Sequence, residues 1–100
     1  MAAYTASTAK SYTLTANTAD TVTLTGTGTF LRVAQSSSTA IYFQAVPTGS
    51  TPTTATVTGD NMIAVINSTQ PVTIGWPGTG AVISIITSGA LGAVNIVLHD

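Results

Sequence analysis

The sequence predicts an all-β protein: a single β-sandwich of about eight short antiparallel strands, in jelly-roll or immunoglobulin-like order. Three observations carry this. Apolar residues alternate with Thr, Ser or Asn in short runs, which is the period of a strand with one buried face. Clusters of Gly, Pro, Asn and Ser separate these runs. No stretch carries the helical period, and β-branched Thr and Val lose rotamer freedom in a helix. The chain has 100 residues, the size of one domain, and no cysteine, so neither a disulfide nor a thiolate metal site contributes.

Taken in order, Met1 to Lys10 is small and polar with a lone Tyr4. It reads as an N-terminal arm outside the sandwich proper, residues 11–100. Such an arm is frayed, or lies on a neighbouring subunit with Tyr4 as its anchor. Tyr12 and Leu14 alternate with Ser11, Thr13 and Thr15, and Val22 and Leu24 alternate with Thr21, Thr23 and Thr25. The intervening Ala16–Asp20 holds two residues that form Asx turns. Gly26-Thr27-Gly28-Thr29 breaks the pattern, and Phe30–Gln35 resumes it with Leu31 and Val33 on one face and Arg32 on the other. After Ser36–Thr39 comes Ile41–Val46, with two of the few aromatics.

Pro47 to Asp60, rich in Pro, Gly and Thr, predicts a long loop of the kind that often forms an interaction surface. Met62–Ile66 is the fifth strand and Asn67–Gln70 a turn. Pro71-Val72-Thr73-Ile74-Gly75-Trp76-Pro77-Gly78-Thr79-Gly80 runs into Ala81–Ile86, the most apolar run. Pro fixes φ and Gly supplies positive φ, so this stretch predicts a central hairpin. Val72, Ile74 and Trp76 share one face of it, which makes Trp76 core before contact. Thr87–Gly92 is a last turn. Ala93–Leu98 is the last strand, with Val94, Ile96 and Leu98 inward and Asn95 outward.

Composition narrows function by exclusion. Only 5% of residues are charged, against about 25% in an ordinary globular domain. With Lys10 and Arg32 as the only basic residues there is no footprint for nucleic acid. The longest apolar run is too short for a membrane-spanning helix. The first ten residues lack the basic and apolar regions of a secretory signal, so synthesis and first folding are expected in a cytoplasm. His99 is the only histidine, Asp20 and Asp60 the only internal carboxylates, and glutamate is absent. No catalytic grouping, metal site or cofactor cradle follows from so sparse a set, and the chain is expected not to be an enzyme. Gly26-Thr27-Gly28 and Gly78-Thr79-Gly80 precede strands, so they are turns rather than phosphate loops. The Thr-x-Thr pairs have no fixed repeat, which an ice-binding solenoid requires. A surface of Thr, Ser, Asn and Gly resists association poorly, which suits a chain covered by other subunits in a permanent assembly.

The block Tyr12-Thr13-Leu14-Thr15-Ala16, followed by Ala19-Asp20-Thr21-Val22-Thr23-Leu24, is similar to the first strands of small virion proteins of tailed bacteriophages. Ile41-Tyr42-Phe43, Pro52-Thr53, Gly59-Asp60, and Ile85-Ile86 with Ser88-Gly89 extend the likeness. The chain thus resembles capsid decoration (cement) or minor head proteins. It departs from that pattern between Pro47 and Thr51, where Pro47 replaces an expected acidic turn residue. The resemblance implies a protein made in the host cytoplasm and located in the virion. There it binds the major capsid protein in many copies, as a homo-oligomer or on a lattice. The other expectation is a receptor- or glycan-binding module with an exposed Tyr42 or Trp76. Tyr4, Tyr42, Pro47, Pro52, Gly78 and Thr79 are the candidate partner contacts.

Overall fold

Residues 2–89 and 92–100 are described by a computed structural model of the chain. Met1 of the expected arm, and Ala90 and Leu91 of the expected last turn, lie outside the described residues. Nine strands are found among the described residues: β1 Ala3–Ala6, β2 Ala9–Thr13, β3 Asp20–Leu24, β4 Phe30–Gln35, β5 Ile41–Pro47, β6 Ile63–Val65, β7 Val72–Gly75, β8 Ala81–Thr87 and β9 Ala93–His99. They form a five-stranded sheet in the order β1-β3-β8-β5-β6 and a four-stranded sheet in the order β2-β9-β4-β7.

The pairing resolves the strand order that the sequence leaves open. β2 pairs with β9, β3 with β8, β4 with β7 and β5 with β6, all antiparallel, so the chain doubles back into one long ribbon. The ribbon is then rolled until β4 meets β9 and β5 meets β8, which completes both sheets. Only β5 and β6 are both consecutive and paired. An immunoglobulin-type sandwich pairs several consecutive strands, whereas this arrangement is the eight-stranded jelly roll. β1 is a ninth strand beyond the roll, laid parallel to β3.

Two expectations need correction here. The stretch from Pro71 to Ile86 is not a hairpin: β7 belongs to the four-stranded sheet and β8 to the five-stranded one. Residues 76–80 instead step across the sandwich, a span of about 10 Å between packed sheets. Pro and Gly serve a crossover as well as a reversal. The second correction concerns the N-terminal segment, where Ala3–Ala6 is a strand of the chain's own sheet and β2 already begins at Ala9.

The alternation read from the sequence decides what faces inward. Leu14, Val22, Leu24, Leu31, Val33, Ile41, Phe43, Val65, Ile83, Ile85, Val94, Ile96 and Leu98 form one core between the sheets. β8 lies mid-sheet and is buried on both faces, since the long loop of residues 48–62 crosses its outer side. That loop is tied down where Ala55 N donates to Ser84 Oγ (2.8 Å) and Thr53 N donates to Gln44 Oε1. Two-sided burial is why β8 carries the most apolar run of the chain. Gln35, nearly buried at the end of β4, donates through Nε2 to Val65 O and so clips one sheet to the other.

The corner between β7 and β8 lies against the corner between β3 and β4. Trp76 N donates to Thr29 O (2.8 Å) and Thr48 N to Gly80 O (3.1 Å). A Cβ at Gly80 would collide with Thr48 Oγ1 and come within 2.5 Å of Leu24 O and 3.0 Å of Gly26 O. Only glycine fits there. Gly75, on the edge strand β7, would meet nothing within 4 Å.

Near the β1–β2 connection, Tyr4 and Tyr12 pack with ring centroids 4.3 Å apart, and Lys10 Nζ lies 5.0 Å from the Tyr4 centroid. Asp20 is buried and accepts from Ala2 N (3.0 Å). The Tyr12 hydroxyl is buried with no hydrogen-bond partner among the described residues. Burial, and then the negative charge of Asp20, raise its pKa well above the ordinary tyrosine value.

These contacts can be tested by substitution and by pH. Gly80→Ala should cost about 1–3 kcal/mol in denaturant unfolding, the range of an overpacked site, while Gly75→Ala should stay within about 0.5 kcal/mol of wild type. Below about pH 10 the Tyr12 phenol is neutral in both folded and unfolded chains; above it the unfolded chain ionises first. Stability should therefore fall as pH rises past that value, measured by urea midpoints. Tyr12→Phe should flatten this slope, because it removes the phenol whose ionisation burial and Asp20 oppose.

Candidate functional site

In the rolled ribbon, alternate connections collect at opposite ends of the sandwich. One end gathers residues 25–29, the long loop of residues 48–62 and residues 76–80, with the β1–β2 turn and His99 beside them. The close approaches of Gly26 to Ser7 and Thr8, Gly28 to His99, and Gly80 to Thr48 and Gly26 fix this grouping. The other end gathers residues 36–40 and Gly89 and Gly92, which approach Thr39 and Ser37.

The six sequence-derived candidates divide between these places. Pro47, Gly78 and Thr79 come together at the first end and all three are exposed. Gly78 holds φ at +81°, the left-handed geometry that turns the chain there, and Thr79 Oγ1 donates to Gly80 O (2.8 Å). Pro52 is half-buried in the long loop, where it lines a cleft of about 240 Å³ with Thr21, Ser50, Thr54, Val82 and Ser84. Tyr42 points to the outer face of the five-stranded sheet and is half-covered by the same loop, so that a methyl on Gly59 would lie 2.9 Å from Tyr42 Cε1. Tyr4 sits apart from the others, half-buried against Tyr12.

Trp76 is half-buried against the core beside Val72 and Ile74. Its Nε1 donates to Gly80 O (3.1 Å), so the indole closes the very corner that follows it. The partly buried ring is a structural brace.

Charge is scarcer on the surface than in the composition. Of the five charged residues, Asp20 is buried and Lys10 is half-buried against Tyr4. That leaves Arg32, half-buried, with Asp60 and Asp100 exposed. No three His, Asp or Glu side chains gather among the described residues. His99 Nδ1 lies 3.2 Å from Asp100 O at the end of the chain, and Asp60 sits in the long loop.

One surface feature escaped the sequence reading. Phe30 is 44% exposed and stacks on His99, ring centroids 5.6 Å apart and planes inclined by 24°. The register places His99, Phe30 and Gly75 in one row across the outer face of the four-stranded sheet, with Val97, Arg32 and Thr73 in the next. The signal was available: Phe30 has the parity of Arg32, not of Leu31 and Val33. An aromatic on the polar side of a strand is a contact candidate.

No family model, curated protein or solved structure matches the chain.

The two roles of Trp76 separate by substitution. Trp76→Phe keeps most of the ring but loses the bond to Gly80, and should cost about 1 kcal/mol. Trp76→Ala should cost about 2–4 kcal/mol, less than a fully buried tryptophan because the side chain is only partly buried. Both read out as urea unfolding midpoints at constant slope.

Proposed function

We propose that this chain is a non-enzymatic structural protein of a virion, one that binds an assembled capsid surface and stabilises the shell. The observation that carries the proposal is a folded surface almost without charge. Single charges scattered over a β-sandwich of Thr, Ser, Asn and Gly give little electrostatic resistance to close packing with neighbours. Interfaces deplete charge at their centres in the same way. The jelly roll is an architecture that viral capsid and lectin domains share; a fold alone does not assign a function, so it supports the reading without carrying it. The sequence resemblance to decoration and minor head proteins points in the same direction.

The mechanism is linkage. A protein that binds the assembled lattice better than free subunits stabilises the lattice by the logarithm of its own concentration over its dissociation constant. Many equivalent copies multiply that effect. The end of the sandwich that presents Pro47, Gly78 and Thr79 is the docking surface in this reading. It combines exposed main chain with a corner held rigid by Gly80 and Trp76. Rigid loops lose little conformational entropy on binding.

A second reading, a receptor- or glycan-binding module on a virion head or tail, draws on the exposed Phe30–His99 stack. Tyr42 and Trp76, the aromatics first considered for that role, are each half-covered.

Mass spectrometry of purified particles from an infection that expresses this chain is expected to find it in many copies per particle. Particles lacking it should release their genome at a lower temperature. Its absence from particles would overturn the proposal. Glycan-array binding by the isolated protein, lost in Phe30→Ala, would favour the second reading.

A further inference from the structure

We propose that β1 is a pairing edge for β1 of a second copy of this chain, joining two five-stranded sheets into one across a two-fold axis. The inference does not depend on where the protein is deployed.

The four sheet edges of the sandwich are not alike. Edge strands present unpaired main-chain groups, and proteins blunt them with Pro, charge or brevity. β7 is flanked by Pro71 and Pro77. β2 carries Lys10 at its second position. β6 has three residues. β1, Ala3-Tyr4-Thr5-Ala6, has neither Pro nor charge among its own residues, and lies at the end of its sheet with no strand paired on its outer side among the described residues.

The ladder to β3 shows which groups are free. Ala2 O accepts from Thr21 N (3.0 Å) and Ala6 O accepts from Thr25 N (2.9 Å). Strand alternation then turns the N–H and C=O of Tyr4 toward β3 and those of Ala3 and Thr5 away from it. Both residues are exposed, with small side chains that permit close approach.

An antiparallel partner with the same sequence satisfies all of these groups at once. With Tyr4 opposite Tyr4 of the second copy, Ala3 of each chain pairs with Thr5 of the other, and four hydrogen bonds form about the axis. Antiparallel pairing of identical strands is self-complementary, as a two-fold interface must be. The two Tyr4 side chains lie on the same face with Cβ atoms about 4.5–5.5 Å apart, a favourable cross-strand aromatic pair. Each already packs on its own Tyr12, so the pairing makes a row of four tyrosines. Of the two charged side chains beside this strand, Asp20 is buried and accepts from the Ala2 amide, and Lys10 lies over its own Tyr4 ring.

The contact is small. A four-residue ladder buries well under the roughly 1,200–2,000 Å² of a stable standard interface. The isolated dimer is therefore weak, and strengthens where a lattice holds the two copies in place.

Sedimentation velocity of the full chain from about 10 μM to about 1 mM should show a monomer that converts to a dimer as concentration rises. Thr5→Pro and Ala3→Pro each remove an outward N–H that bonds nothing in the chain's own sheet. Both should keep the wild-type unfolding temperature and abolish the dimer. Tyr4→Pro removes an inward N–H and should lower the unfolding temperature. A wild-type chain monomeric at about 1 mM, the top of that range, would overturn the proposal. So would a folded Thr5→Pro or Ala3→Pro protein that dimerises like wild type.

Discussion

Two stretches of chain, Thr25–Thr29 and Trp76–Gly80, cross from one sheet to the other side by side, and the rest of the structure depends on how closely they pass. Their backbones meet at Gly80, where Leu24 O and Gly26 O leave no space for a side chain. If the crossings were held further apart, β3–β8 and β4–β7 could not both keep their registers. The ribbon would unroll at that corner. Trp76 reinforces the contact from outside by bonding Gly80 O through its indole N–H. A small protein without disulfides thus relies on main-chain proximity at a corner where others use a covalent staple.

The same economy governs polar groups. Asp20 is buried without an ion-pair partner among the described residues, and its carboxylate accepts a hydrogen bond from the Ala2 amide. Burying a carboxylate is costly unless its hydrogen bonds are supplied, so the site ties β1 to the body of the sheet. Gln35 plays a corresponding part on the far side, where its amide reaches Val65 O across the interior and Ser37 Oγ donates to its Oε1. Buried polar groups act here as locators of register and edge, while the apolar side chains between them supply the bulk of the burial.

Strand positions were legible in the sequence because burial follows parity. Leu31 and Val33 against Arg32, or Val94, Ile96 and Leu98 against Asn95, need no partner to be recognised as two faces. Pairing was not legible. Trp76-Pro77-Gly78-Thr79-Gly80 has the composition of a hairpin turn and makes a sheet-to-sheet crossing. What distinguishes the two is whether β8 prefers β7 or β3 and β5, and that is settled by contacts far away in the chain. Ala3–Ala6 lacked a strand signal for a related reason. It is short and small, and becomes a strand because β3 offers it an edge and Asp20 an anchor. Of the candidate contacts, Pro47, Gly78 and Thr79 converge by topology, which no local pattern shows. Phe30 was hidden only because its parity was not compared with that of Arg32.

Rolling an antiparallel ribbon consumes edges. It leaves four, and three of them are interrupted by proline, by lysine or by shortness, so a chain with this little charge avoids indiscriminate strand addition. The long loop covers the outer side of β8, the most apolar strand, which removes the sheet face most prone to nonspecific association. Separate contact surfaces remain, among them one end built from rigid corners, one row containing Phe30 and His99, and the β1 edge. A protein with several separate, directional contact surfaces and almost no charge is suited to a position surrounded by fixed neighbours. A freely diffusing monomer would instead benefit from the surface charge that this chain lacks.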